Sequence, residues 1–175
     1  MRWFWFDRYT EFVSGTRATA IKNVSLAEEH LHDHFPGAPL MPNSLIIEGL
    51  AQTAGLLVSE YSDFEERVIL AKLAKCEFHF HATPGDTLIF RAVIEQIKKD
   101  GAMVAVTSHV DDRLQAEASI FFVHLDDRSA GKQLYDRADL LQWLNVLGVF
   151  EIGVKPDGTR IKIPPKMAES VGIAP

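Results

Sequence analysis

The sequence predicts an α+β protein in which one long buried helix is wrapped by a curved antiparallel sheet, and three observations carry that expectation. An apolar run follows Asn43 as far as Tyr61, and Leu45, Ile46, Ile47, Leu50, Ala51, Ala54, Leu56, Leu57 and Val58 cover most of a helix surface. Farther on, Thr87 to Lys98, Ala102 to Val110 and Leu114 to Leu125 read as strands joined by the tight turns Lys99-Asp100-Gly101 and Asp111-Asp112-Arg113, the pattern of a meander. Between His34 and Pro42, three prolines (Pro36, Pro39, Pro42) and Gly37 exclude both helix and central strand. With the shorter segments near the N-terminus, the sheet comes to about five to seven strands.

Composition narrows the function. The chain has 175 residues, 47% of them apolar and 24% charged, enough for one domain, or one domain with an extension, around a proper core. A net charge of −6 without a Lys/Arg cluster argues against a nucleic-acid partner. The lone Cys76 excludes an intramolecular disulfide. Trp3-Phe4-Trp5-Phe6 is too short, and too soon followed by Asp7 and Arg8, to be a signal peptide or membrane span. These aromatics are expected to cover an apolar surface of the protein or of a partner subunit, and the protein is expected to be cytoplasmic.

Taken in order, Tyr9 to Val13 and Arg17 to Val24 form two short strands around Ser14-Gly15, and Ser25 with Glu28 makes a capping box. His30, His32 and His34 alternate as strand residues sharing a face would, which raises a metal reading. Zinc needs further ligands and supporting partners that the sequence does not single out, so no metal is expected and His30 and His32 read as solvated loop residues. Asn43 or Ser44 is the N-cap of the long helix. Glu48 and Gln52 lie four apart on one face of it. In a buried helix Glu48 would sit in apolar surroundings that favour its neutral form, which suits a proton donor, and the helix N-terminus offers backbone N–H groups to a developing oxyanion. Residue types alone leave the plainer reading equally open: a proline-rich turn before a core helix, with Glu48 in a wet cleft. Ser62 to Arg67 is a polar loop; Val68 to Leu73 reads as a buried strand; Lys75 to His81 alternates Cys76, Phe78 and Phe80 against Glu77, His79 and His81; Thr83-Pro84-Gly85-Asp86 is a turn. Asp139 to Phe150 reads as an amphipathic helix with Leu140, Leu141, Leu144 and Leu147 on one side and Trp143 beside them; Val154 to Ile163 as a hairpin around Pro156-Asp157-Gly158; Pro164 to Pro175 as a loose tail.

His-Phe-Pro-Gly-Ala-Pro-Leu-Met-Pro-Asn-Ser-Leu-Ile-Ile-Glu-Gly-Leu-Ala-Gln, from His34 through Gln52, resembles without a gap the active-site segment of the β-hydroxyacyl-acyl-carrier-protein dehydratases of FabZ/FabA type. Asp7-Arg8, Ala20 to Val24 and Pro84-Gly85-Asp86 resemble the same family. The resemblance implies the hot-dog fold over residues 1–127, with 128–175 as an extension that either packs over a sheet edge or tunnel mouth or docks a partner. It implies reversible dehydration of (3R)-hydroxyacyl thioesters to trans-2-enoyl thioesters, with His34 as base and Glu48 as the donor that protonates, or holds a water against, the leaving hydroxyl. A backbone N–H of Asn43 or Ser44, or of Gly37, would bind the thioester carbonyl. The Leu40 carbonyl would orient the imidazole, and Gln52 would steady Glu48. No metal or bound cofactor is implied; the acyl chain would arrive on the phosphopantetheine of an acyl carrier protein, or on coenzyme A. The family shares each site across a dimer, so a homodimer or a trimer of dimers is expected, with Lys72, Lys75, Arg91, Lys98 and Lys99 as candidates for a basic docking patch. Glu rather than Asp at position 48 points to the FabZ-like branch, which does not isomerise the double bond. Asn43 departs from the family's Gly and would either keep the turn or narrow the site. The alternatives are a thioesterase on the same fold and a non-catalytic acyl-binding protein.

Overall fold

The computed structural model describes residues 3–125 and 136–172. In chain order they form β1 (Arg8–Val13), β2 (Arg17–Asn23), the one-turn helix α1 (His30–Asp33), α2 (Asn43–Glu60), β3 (Arg67–Phe78), β4 (Thr87–Lys98), β5 (Gly101–Val110), β6 (Arg113–Leu125), α3 (Arg137–Val146), α4 (Val149–Ile152) and α5 (Pro165–Ser170). The expected boundary at 127/128 and the end of the expected tail fall outside the described residues.

The strands make one six-stranded antiparallel sheet in the order β1-β2-β4-β5-β6-β3. Alternate residues Leu88, Phe90 and Ala92 of β4 and Val104 and Val106 of β5 are buried, as a sheet with one face on a core requires. Helix α2 packs on β2, β3, β4 and β5. Ile46, Leu50, Ala54 and Leu57, at helical spacing, are all buried. A long helix held in one curved antiparallel sheet is the hot-dog arrangement.

Five local expectations are corrected. Val68 to Leu73 and Lys75 to His81 are not two strands, the first of them buried. They belong to β3, whose only sheet neighbour among the described residues is β6 and whose pairing shifts at Leu70/Lys72 and Leu73/Lys75. Each shift re-aims the side chains, and an edge strand has one flank uncovered, so Leu70 stays 40% exposed. His30 and His32, expected as solvated loop residues, lie on the one-turn helix α1, where His32 is exposed and His30 half-buried. The predicted helix to Phe150 stops at Val146, because Gly148 adopts φ +79°, and resumes as α4. The expected loose tail contains α5, with Met167 and Ala168 buried and Lys166 paired to Glu65 at 2.7 Å. The predicted hairpin around Pro156 to Gly158 is reduced to a bridge between Val154 and Arg160, with Val154 also bridging to Val13.

These last helices are part of the main core. Leu140, Leu141, Leu144, Leu147, Val149 and Met167 join the cluster that contains Ile46, Leu50 and Phe90. The N-terminal aromatics help to seal it, with Phe6 buried and Phe4 packed 5.0 Å from Trp143, while Trp3 is 74% exposed. Among the described residues, no helix is long and apolar enough to cross a membrane.

Candidate active site

The loop ahead of α2 is short of donors because its prolines have no N–H, and several of those that remain hold the loop in shape. Phe35 and Ala38 exchange N–H···O bonds of 3.2 and 2.9 Å, the Leu40 N–H donates to the His34 carbonyl at 2.8 Å, and the Met41 N–H to the Ala82 carbonyl at 2.8 Å. Gly37 supplies the left-handed corner, at φ +77°. His34 Nδ1 lies 2.9 Å from the Leu40 carbonyl oxygen. A carbonyl only accepts, so Nδ1 carries the hydrogen and the neutral ring keeps its lone pair on Nε2. The imidazole stacks on the Phe35 ring at 4.2 Å and opens on a cavity lined also by Leu40, Met41, Asn43 and His81.

Glu48 stands on the opposite side of the α2 start. Its Oε1 accepts from Gln52 Nε2 at 2.9 Å. The Gln52 amide is held at both ends: Oε1 accepts from the Trp5 N–H at 2.8 Å, and Nε2 also donates to the Trp3 carbonyl at 2.8 Å. Backbone polarity therefore fixes which end of the amide meets Glu48. The N-terminal segment comes this close because position 49 is glycine. A Cβ there would lie 2.7 Å from the Trp5 carbonyl oxygen and 2.5 Å from the Phe90 ring. The expectation that a buried helix encloses Glu48 in apolar surroundings is corrected: Glu48 is exposed and lines an apolar groove along α2 with residues of β3 and β6.

Within one chain, His34 and Glu48 line different cavities. Neither Asn43 nor Ser44 caps the helix. Pro42 is the N-cap, its carbonyl accepting from the Leu45 and Ile46 N–H groups at 2.9 and 3.2 Å. Asn43 is instead the first helical residue, its Oδ1 buried without a hydrogen-bond partner beside the His34 cavity, and Ser44 is exposed. His30 packs edge-on against Trp5 at 5.3 Å, and burial lowers its pKa. His32 meets the Leu26 carbonyl at 3.0 Å. Among the described residues, no group of three or more His, Cys, Asp or Glu is placed to hold a metal ion. Lys75, one of the candidate docking cations, is engaged by Glu117 at 2.8 Å.

Sequence reasoning overlooked a second carboxylate on α2. Glu60 is 7% exposed, and burial pushes its pKa up against the opposing hydrogen bonds of Ser14 and Gly15. The one signal available in the sequence was its place near the end of an apolar helix.

Residues 4–119 match the model of the FabA-like domain family. The 3-hydroxyacyl-[acyl-carrier-protein] dehydratase FabZ of Fusobacterium nucleatum is 41% identical over 121 residues, 69% of this chain and 81% of its own. The protein of the same name from Thermoanaerobacter is 34% identical over 122 residues, 69% of this chain and 86% of its own. Among solved structures, a conserved protein from Pseudomonas aeruginosa superposes with a TM-score of 0.57 at 17% identity, covering 67% of this chain and 87% of that one. At that identity the likeness speaks for the hot-dog fold alone.

Proposed function

The chain belongs to the FabA-like domain family, and on that premise we infer that it is a 3-hydroxyacyl-[acyl-carrier-protein] dehydratase acting in acyl-chain biosynthesis. The substrate is a 3-hydroxyacyl thioester, carried on the phosphopantetheine of an acyl carrier protein or on coenzyme A, and the product is the 2-enoyl thioester and water. The observation that carries the assignment of His34 is its bond to the Leu40 carbonyl, which leaves Nε2 free as base.

Nε2 takes the C2 proton as the thioester carbonyl gains negative charge. Backbone N–H groups of Gly37, or of Asn43 and Ser44 at the α2 start, stabilise that charge. The C3–O bond then breaks, and the oxygen leaves as water with a proton delivered at Glu48. The proton gained by His34 returns through solvent, so the cycle closes without a bound cofactor. Gln52 holds the Glu48 carboxyl in place.

The two residues line separate cavities of one chain, and among the described residues β3 has a strand on one flank alone. Both features support a homodimer in which each site takes His34 from one chain and Glu48 from the other. The test follows absorbance of the enoyl-thioester band during incubation with 2-enoyl thioesters on carrier protein and on coenzyme A. Hydration by the wild type, lost in His34→Ala and in Glu48→Gln, is the expected result. Release of free thiol would instead identify a thioesterase, and tight binding without turnover an acyl-binding protein.

A further inference from the structure

The groove that starts at Glu48 encloses about 200 Å³ and runs along α2 past Gln52 and Gly55 to Ser59. Glu48 and Ser59 are eleven residues apart, about 17 Å of helix. Beyond its polar mouth the lining is apolar except for Ser59, with Phe122 of β6 and strand β3 facing α2. Such a channel accepts an alkyl chain and offers too few polar groups to orient a sugar or a nucleotide. All its lining residues lie on α2, β3 or β6 except Leu140, which comes from α3, beyond the family match at residues 4–119.

Leu140 is held rigidly. The Asp136 side chain caps α3 by accepting from the Ala138 and Asp139 N–H groups, and Leu141 and Leu144 are buried on the same helix. Trp143 packs on Phe4, and the Leu147 carbonyl accepts from the Tyr9 N–H at 2.9 Å. Leu140 itself keeps 3% of its surface exposed. An element fixed at this many points keeps Leu140 against the groove. We propose that α3 sets the length of the acyl chain this protein accepts, with Leu140 as the stop. The proposal rests on the dehydratase reading for the identity of the chain that enters the groove.

The test uses saturated, and therefore unreactive, straight-chain acyl-coenzyme A thioesters of increasing length, titrated calorimetrically into the full-length protein. Affinity is expected to rise with length up to a limit and then break off. Leu140→Val and Leu140→Ala move the limit to longer chains, Ala further, and the first chain beyond the wild-type limit binds roughly tenfold tighter. Leu140→Phe moves the limit to shorter chains. If the Ala variant does not fold, the Val and Phe variants carry the test, each compared with wild type by thermal melting. An unchanged limit in folded variants, or a wild type that binds acyl chains without any limit or not at all, overturns the proposal. Turnover is not part of the readout, so the two readings fail separately. A length limit that moves in a protein unable to hydrate enoyl thioesters removes the dehydratase and keeps the stop. Hydration with a fixed limit does the reverse.

Discussion

Helix α2 carries two carboxylates, Glu48 and Glu60, twelve residues apart. That spacing puts them about 18 Å apart along the axis and about 120° apart around it, so they meet different surroundings. Glu60 has what is usually sought in an acid catalyst: it is buried, its Oε2 lacks a hydrogen-bond partner, and burial raises its pKa. Glu48 is instead exposed and bonded to Gln52. Yet Glu48 opens on a groove, whereas Glu60 is enclosed among the Ser14-Gly15 turn, Asp63 and Lys155. Desolvation marks the group the fold has covered, and chemistry needs one that a substrate reaches. In the homodimer proposed above, where a second chain completes each site, those two properties separate.

The sharpest break of this comparison is catalytic. Glu48→Gln and His34→Ala should each lower enoyl-thioester hydration by roughly 100- to 10,000-fold, while Glu60→Gln leaves kcat/KM close to wild type. The reverse order would make Glu60 the acid and the groove irrelevant. Mixing the two inactive variants under conditions of chain exchange goes further. If each site combines His34 of one chain with Glu48 of the other, half the dimers are mixed and each holds one intact site, so about a quarter of wild-type activity returns. No recovery would place both residues of a site in one chain.

A smaller effect tests how Glu48 is held. Gln52→Ala removes its hydrogen-bond donor, and Gly49→Ala pushes the Trp5 carbonyl off the helix and frees Gln52 from the N-terminal segment. Each should lower kcat roughly ten- to hundredfold in steady-state hydration assays. Combined with Glu48→Gln, either should add little, because both act through the same carboxylate. Losses that multiply would give Gln52 a role of its own.

Much of this was legible from residue types. The alternation in β4, β5 and β6 and the all-round apolar surface of α2 are periodic signals, and periodicity survives folding. The loop from His34 to Pro42 was legible because proline and glycine restrict the chain locally. What misled were properties of neighbourhood. An apolar stretch such as Val68 to Leu73 reads alike in a central strand and in an edge strand, and only sheet order separates them. Glu48 was expected to be buried because its helix is, although one face of a buried helix can still border a groove. Asn43 looked like a cap by residue type, but the N-cap is Pro42, one position earlier, and Asn43 is already helical. The docking of α3 and α5 follows from long-range contacts, such as Lys166 with Glu65, that no local pattern encodes.

The smallest effect concerns stability and fixes the other side of the comparison. Burial raises the pKa of folded Glu60 above its value in the unfolded chain, more than the Ser14 and Gly15 hydrogen bonds and Lys155 lower it, and Asp63 adds to the rise. The folded protein therefore keeps this proton over a range where the unfolded chain has lost it. The resulting stabilisation is complete below the unfolded pKa, about 4.3, and is lost as pH rises through the folded value. Gln stays neutral throughout and can accept the same hydrogen bonds through its carbonyl. Glu60→Gln should accordingly match wild type in urea melts near pH 4 and become progressively more stable than wild type as pH rises toward 8. A difference between Glu60→Gln and wild type that does not change with pH would mean that water reaches the Glu60 carboxylate freely, and burial would no longer set it apart.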